Sequence, residues 1–124
     1  MFDSNSTVPI YMQIAQWLEN EILADRLQAD EKVYSQYQLA EKFNVNPATA
    51  GKGLTILLEQ SILYKKRGLG MFVMETAKEI ILNTRRNEGI YQLAQELVLE
   101  AKRVAMGDEE LIRLIEKLQK GDDI

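Results

Sequence analysis

Residues Tyr34 to Gln60 read YSQYQLAEKFNVNPATAGKGLTILLEQ, and this stretch decides the fold. Ser35-Gln36-Tyr37-Gln38 has the form of a capping box, in which the Ser35 hydroxyl accepts the amide three residues on and Gln38 reaches back. A short helix is predicted from about Gln36 to Phe43. Asn46-Pro47 repeats the start signal, with Asn46 as cap and Pro47 in the first turn, and Leu54, Leu57 and Leu58 supply an apolar face to about Gln60. Only Asn44 and Val45 separate the two helices, the spacing of a helix-turn-helix.

Upstream, Pro9 opens a run in which Ile10, Ile14, Trp17, Leu18 and Ile22 recur at three- and four-residue spacing, predicting a first helix to about Ala24. Downstream, Leu63 to Arg67 and Met71 to Met74 flank Gly68-Leu69-Gly70 with strand-forming residues, the pattern of a β-hairpin. A hairpin after a helix-turn-helix is a wing. From Lys78 to Ala105 the chain is helical again, with a bend or break expected at Gly89. Gly107 reads as a stop and Asp108 as the cap of a last helix. The expected fold is therefore mainly α with a small β-hairpin wing: a winged helix-turn-helix over residues 1–75, then two helices over 76–124 that form a dimerisation segment. Ile90, Leu93, Leu97, Ala101 and Val104 line one stripe of that segment, and Leu111, Ile115 and Leu118 another. Such faces need cover, either from the chain's own first domain or from a second copy in a symmetric homodimer.

Composition narrows the function. With no cysteine and no histidine among 124 residues, thiolate nucleophiles and the commonest metal ligand and general base are excluded, so neither an enzyme nor a metal or cofactor site is expected. No apolar run has the length of a membrane span, and the opening MFDSNSTVP lacks the pattern of a signal peptide, so a cytoplasmic protein is expected. The formal net charge of −4 argues against nucleic acid, but its distribution does not. Lys42, Lys52, Lys65, Lys66 and Arg67 fall in a segment whose only acid is Glu59.

The ordered blocks Val8-Pro9-Ile10-Tyr11-Met12-Gln13-Ile14-Ala15, Tyr34 to Ala40, Phe43 to Ala50 and Gly68 to Val73 are similar to the GntR family of bacterial regulators, over about residues 8–73. The Asn-Pro-x-Thr element and the short helical tail resemble its YtrA-type branch. The resemblance implies a homodimer on double-stranded DNA with a partly palindromic operator, repressing its own operon and a neighbouring transporter operon. An unidentified small-molecule effector is left open as a further partner. Family members commonly carry arginine where Tyr37 and Pro47 stand, so either base readout leans on other groups here or the operator differs.

Recognition-helix geometry places candidate DNA contacts at the openings of the two short helices. Ser35, Gln36 and Tyr37 stand at the first opening and Asn46, Pro47, Ala48 and Thr49 at the second, with Lys52 one turn on. Lys65, Lys66, Arg67, Gly68 and Gly70 are the wing candidates. Ser35 and Asn46 also read simply as caps, and the wing charges as protection of an exposed strand edge. A protein-interaction module built on the same fold is the alternative function.

Overall fold

The computed structural model describes residues 2–121. Its first compact unit runs to Asn83 and its second begins at Thr84. The first contains α1 (Ile10–Leu23), α2 (Gln36–Phe43), α3 (Pro47–Glu59), β1 (Leu63–Lys66), β2 (Gly70–Val73) and α4 (Ala77–Thr84), whose last residue passes into the second unit. The expected boundary after residue 75 falls short. Ala77 and Ile81 of α4 are each only 1% exposed and belong to the first unit's core, so the apolar face of α4 closes that domain.

The core is a continuous apolar cluster built from Ile14, Leu18 and Ile22 of α1, Leu39 of α2, Ala50, Leu54 and Leu57 of α3, and Leu63 and Val73 of the hairpin. Full burial of each large aliphatic side chain contributes about 1.5–3 kcal/mol, so this set dominates the domain's stability. α1 and α3 pack closely because position 53 is glycine. A Cβ there would lie 2.8 Å from the Tyr11 carbonyl oxygen.

The two short helices begin and end as local chemistry dictates. Ser35 Oγ accepts the Gln38 N–H at 3.1 Å while Gln38 Oε1 accepts the Ser35 N–H at 2.8 Å, completing the capping box. Asn44 ends α2 in the left-handed region (φ 54°), a conformation its short polar side chain tolerates, and Asn46 Oδ1 then caps α3 by accepting the Ala48 N–H at 2.8 Å.

β1 and β2 pair antiparallel in the register Leu63↔Val73, Tyr64↔Phe72, Lys65↔Met71, Lys66↔Gly70. The free edge of β2 is also occupied. Val33 N–H donates to the Met71 carbonyl, Asp30 N–H to the Val73 carbonyl, and Val73 N–H to the Glu31 carbonyl, with a bridge at Lys32↔Phe72. The wing is thus backed by a short third strand-like segment that sequence patterning does not announce.

In the second unit, a π-helical stretch (Arg85–Ile90) precedes α5 (Tyr91–Arg103), and α6 spans Asp108–Gln119. The expected bend at Gly89 is therefore a change of winding, from i+4 to i+5 hydrogen bonds, rather than a break. The expected stop at Gly107 is supplied earlier by Ala105, which takes φ 57° while Met106 N–H donates to the Ala101 carbonyl and Ala105 N–H to the Lys102 carbonyl. Gly107 is instead the N-cap of α6, and Asp108, Glu109 and Glu110 form its first turn, where carboxylates complement the helix dipole. Residues 122–124 of the expected helical segment lie outside the described residues. Among the described residues no helix is long and apolar enough to cross a membrane.

Candidate nucleic-acid interface

The expected DNA-facing residues occupy the openings of α2 and α3 and the tip of the hairpin. Tyr37 is 68% exposed at the start of α2, and Pro47 and Ala48 are exposed at the start of α3. Ala50 is fully buried and packs in the core. Ser35 and Asn46 are engaged as caps, so their acceptor oxygens are occupied. Thr49 is half-buried.

Strand alternation divides the wing charges between two faces. Lys65 shares the inward face with Met71, where a cleft of about 200 Å³ is lined by Tyr34, Ser35, Gln36, Tyr37, Lys65 and Gly70, among others. The sequence-predicted contacts Ser35, Gln36, Tyr37, Lys65 and Gly70 are therefore brought together. Lys66 lies on the opposite face, its Nζ 4.6 Å from the centroid of the Phe72 ring and 5.8 Å from that of Tyr64. Arg67 and Gly68 form the exposed tip, where Gly68 (φ 78°) permits the Leu69 N–H to close on the Lys66 carbonyl at 2.9 Å.

Lys32 is a basic group that sequence reading missed. The segment carrying it pairs with β2, and its Cε would lie 3.0 Å from a Cβ at Gly70. Gly70 thus needs its lack of a side chain twice, for φ 112° and for the lysine lying across it. A lone lysine in a loop carries no local signal; only the strand pairing brings it to the wing.

Among the described residues, the side chains of Lys32, Lys65 and Arg67 have no ion-pair or hydrogen-bond partner. Other cations rest on aromatic faces: Lys42 lies 5.7 Å from both the Trp17 and Phe43 rings, and Lys52 lies 4.1 Å from Tyr11. Lys52 therefore leans toward α1. Behind the wing, Tyr64 Oη donates to Asp30 Oδ1 at 2.7 Å. That bond, then partial burial and the carboxylate's charge, holds the phenol above its ordinary value.

In the second unit the expected dimerisation stripe is largely exposed. Ile90, Leu93 and Val104 are each more than 60% exposed, Leu97 and Leu118 are also exposed, and Leu111 and Ile115 are half-buried. Ala101 differs. It is 6% exposed, buried where the chain turns back after α5, and so drops out of the available stripe. Beside the stripe, Tyr91, Ala94, Gln95, Val98 and Leu99 line an open apolar groove of about 410 Å³.

A capped helix-turn-helix, a recognition helix presented at its N-terminal turns and a basic two-stranded wing define a winged-helix DNA-binding fold. A solved GntR family transcriptional regulator from Listeria monocytogenes is 30% identical, superposes with a TM-score of 0.73, and is matched over 94% of this chain and 98% of its own. The chain belongs to the GntR family, whose members are transcriptional regulators rather than enzymes. The HTH-type transcriptional repressor YtrA of Bacillus subtilis is 28% identical over 116 residues, 94% of this chain and 88% of YtrA. The likeness thus includes the helical tail of the YtrA type. AraR(DBD), solved in complex with operator ORX1, is 26% identical with a TM-score of 0.54 and covers 59% of this chain. Another curated repressor is 32% identical over 77 residues, and the chain spans about a third of its length. No family model matches the sequence.

Proposed function

We propose that this chain is a homodimeric repressor that binds a partly palindromic operator through its two winged helices and controls its own operon and a neighbouring transporter operon. The observation that carries the reading is the arrangement at the α2–wing cleft. Lys65 and Lys32 line it beside the opening of α2 and Arg67 stands at the hairpin tip, none of the three with an ion-pair partner among the described residues, on a fold whose relative AraR(DBD) was solved on operator DNA.

The exposed stripe of α5 and α6 supports the dimer. Exposed apolar side chains of this kind are stabilised by a partner, and a second copy offers the same face under two-fold symmetry. Two recognition helices related by that symmetry read two half-sites, which is why the operator is expected to be partly palindromic. A small-molecule effector would act by changing the separation of the two recognition helices.

Selection of bound fragments from genomic DNA, followed by anisotropy titration of the best fragment, tests this. The expected result is a two-fold symmetric site whose affinity falls about 10³- to 10⁵-fold between roughly 50 and 200 mM salt, the loss for about six to ten phosphate contacts. No enriched site and a shallow slope would refute the reading and favour a protein-interaction module.

A further inference from the structure

The recognition helix is short of base-reading groups. Its first two turns hold Pro47, Ala48, the short and half-buried Thr49, and Lys52, and Lys52 is drawn over the Tyr11 ring. Thr55 Oγ1 donates to the Gly51 carbonyl at 2.9 Å. The acceptor oxygens of the caps are occupied: Ser35 and Gln38 bond one another's backbone amides, and Asn46 Oδ1 holds the Ala48 N–H.

Gln36 is different. It is the first residue of α2, half-exposed, and among the described residues its carboxamide has no hydrogen-bond partner. Its side chain lies across α3 at position 51, where a Cβ would stand 2.9 Å from Gln36 Oε1 and 3.3 Å from its Cδ. The glycine is what leaves room. A residue of α2 thereby delivers an unsatisfied C=O and NH₂ pair to the second turn of the recognition helix.

A carboxamide of this kind matches adenine in the major groove, its oxygen accepting from the N6 amino group and its NH₂ donating to N7. We propose that Gln36 reads an adenine in each half-site of the operator, and that Gly51 is the gap that positions it. The inference rests on the operator-binding reading above and supplies a base contact in a site where Tyr37 and Pro47 stand in place of the arginines common in the family.

The test is binding-site selection from random DNA, with competition anisotropy at one salt concentration, for the wild type, Gln36→Ala, Gln36→Glu and Gly51→Ala. The wild-type selection tests operator binding itself, and the contrast with the variants tests Gln36. The expected result is one adenine position per half-site that Gln36→Ala no longer prefers, with operator affinity down about 5- to 150-fold and non-specific affinity and salt slope unchanged. Gln36→Glu should move that position toward cytosine, whose N4 amino group donates to a carboxylate. Gly51→Ala pushes the carboxamide aside and should weaken the same position while leaving the fold intact. Unchanged base preferences in Gln36→Ala would overturn the proposal. So would an equal loss on all DNA with a flatter slope, which would make Gln36 a phosphate contact. A wild type with no preferred site would remove both this inference and the operator reading.

Discussion

Replacing Gly53 with alanine tests the close approach of α1 and α3. In an exposed helix interior the change would stabilise by about 1 kcal/mol. Here the new Cβ meets the Tyr11 carbonyl oxygen at 2.8 Å and Ile14 Cγ2 at 3.3 Å. Reaching ordinary contact at 3.4 Å requires the helices to separate by about 0.6 Å, the difference between 3.4 and 2.8. The obstacle is backbone, and Ile14 behind it is fully buried, so neither can step aside by rotating a bond. Overpacking of this kind costs about 1–3 kcal/mol, its upper half applies against backbone, and the propensity gain subtracts about 1. The net is a loss of about 1–2 kcal/mol. For a unit of this size that lowers Tm by about 5–15 °C. Gly51→Ala is the internal control, because its Cβ is crowded only by the carboxamide end of Gln36, which can rotate away, and it should leave Tm unchanged or raise it. Far-ultraviolet circular dichroism during thermal unfolding, at fixed protomer concentration, reads both. A Gly53→Ala protein as stable as the wild type would refute the packing argument.

Lys65→Ala and Arg67→Ala should each flatten the slope of log affinity against log salt by about one and weaken binding to all sequences alike; an unchanged slope in anisotropy titrations would take the wing out of the interface. Leu97→Asp should place an unpaired carboxylate in the proposed dimer face, giving a protein that sediments as a monomer and loses most operator affinity, and a variant that remains a dimer would move the interface elsewhere. Tyr64 should be a late tyrosine in an ultraviolet pH titration of the five, since its neutral form is held by the bond to Asp30. Because the phenol is raised, its contribution to stability is present below its ordinary value of 10.0 and fades as pH climbs through the raised one. Asp30→Asn should bring it back toward that ordinary value, and a titration that does not move would contradict the assignment.

Local signals carried the helix-turn-helix into plain view. The capping box at Ser35 and the Asn46-Pro47 start act within three residues, so the bounds of α2 and the opening of α3 follow from sequence. Long-range pairing did not show. Residues 30–33 have no strand alternation and are recruited by the free edge of β2, which is also what brings Lys32 to Gly70. Helix ends were hidden for a different reason. Asp25, Asn44, Ser61 and Ala105 take the left-handed turns that glycine usually marks, each offsetting a strain of about 1–2 kcal/mol with the hydrogen bonds of the turn. Meanwhile Gly51 and Gly53 sit inside α3 for close approach, not for positive φ. The candidate site was legible as a set of residue types, but the division of Lys65 from Lys66 required the strand register.

That register also bears on how an acidic chain holds DNA. The net charge of −4 is a sum over the whole chain, whereas at physiological salt a charge is felt over about 8 Å. In the proposed interface the duplex would meet a local set, Lys32 and Lys65 at the α2–wing cleft and Arg67 at the hairpin tip, none of which has an ion pair among the described residues. Lys52 and Lys66 are held in reserve on aromatic faces, and lifting an exposed ammonium from such a ring costs about 0.5–1 kcal/mol. Each would therefore bind phosphate less strongly than a free lysine, which lowers affinity for all sequences alike and leaves base contacts a larger share of operator affinity. A low total charge with a few free cations thus limits adhesion to arbitrary DNA and leaves operator preference to the base contacts.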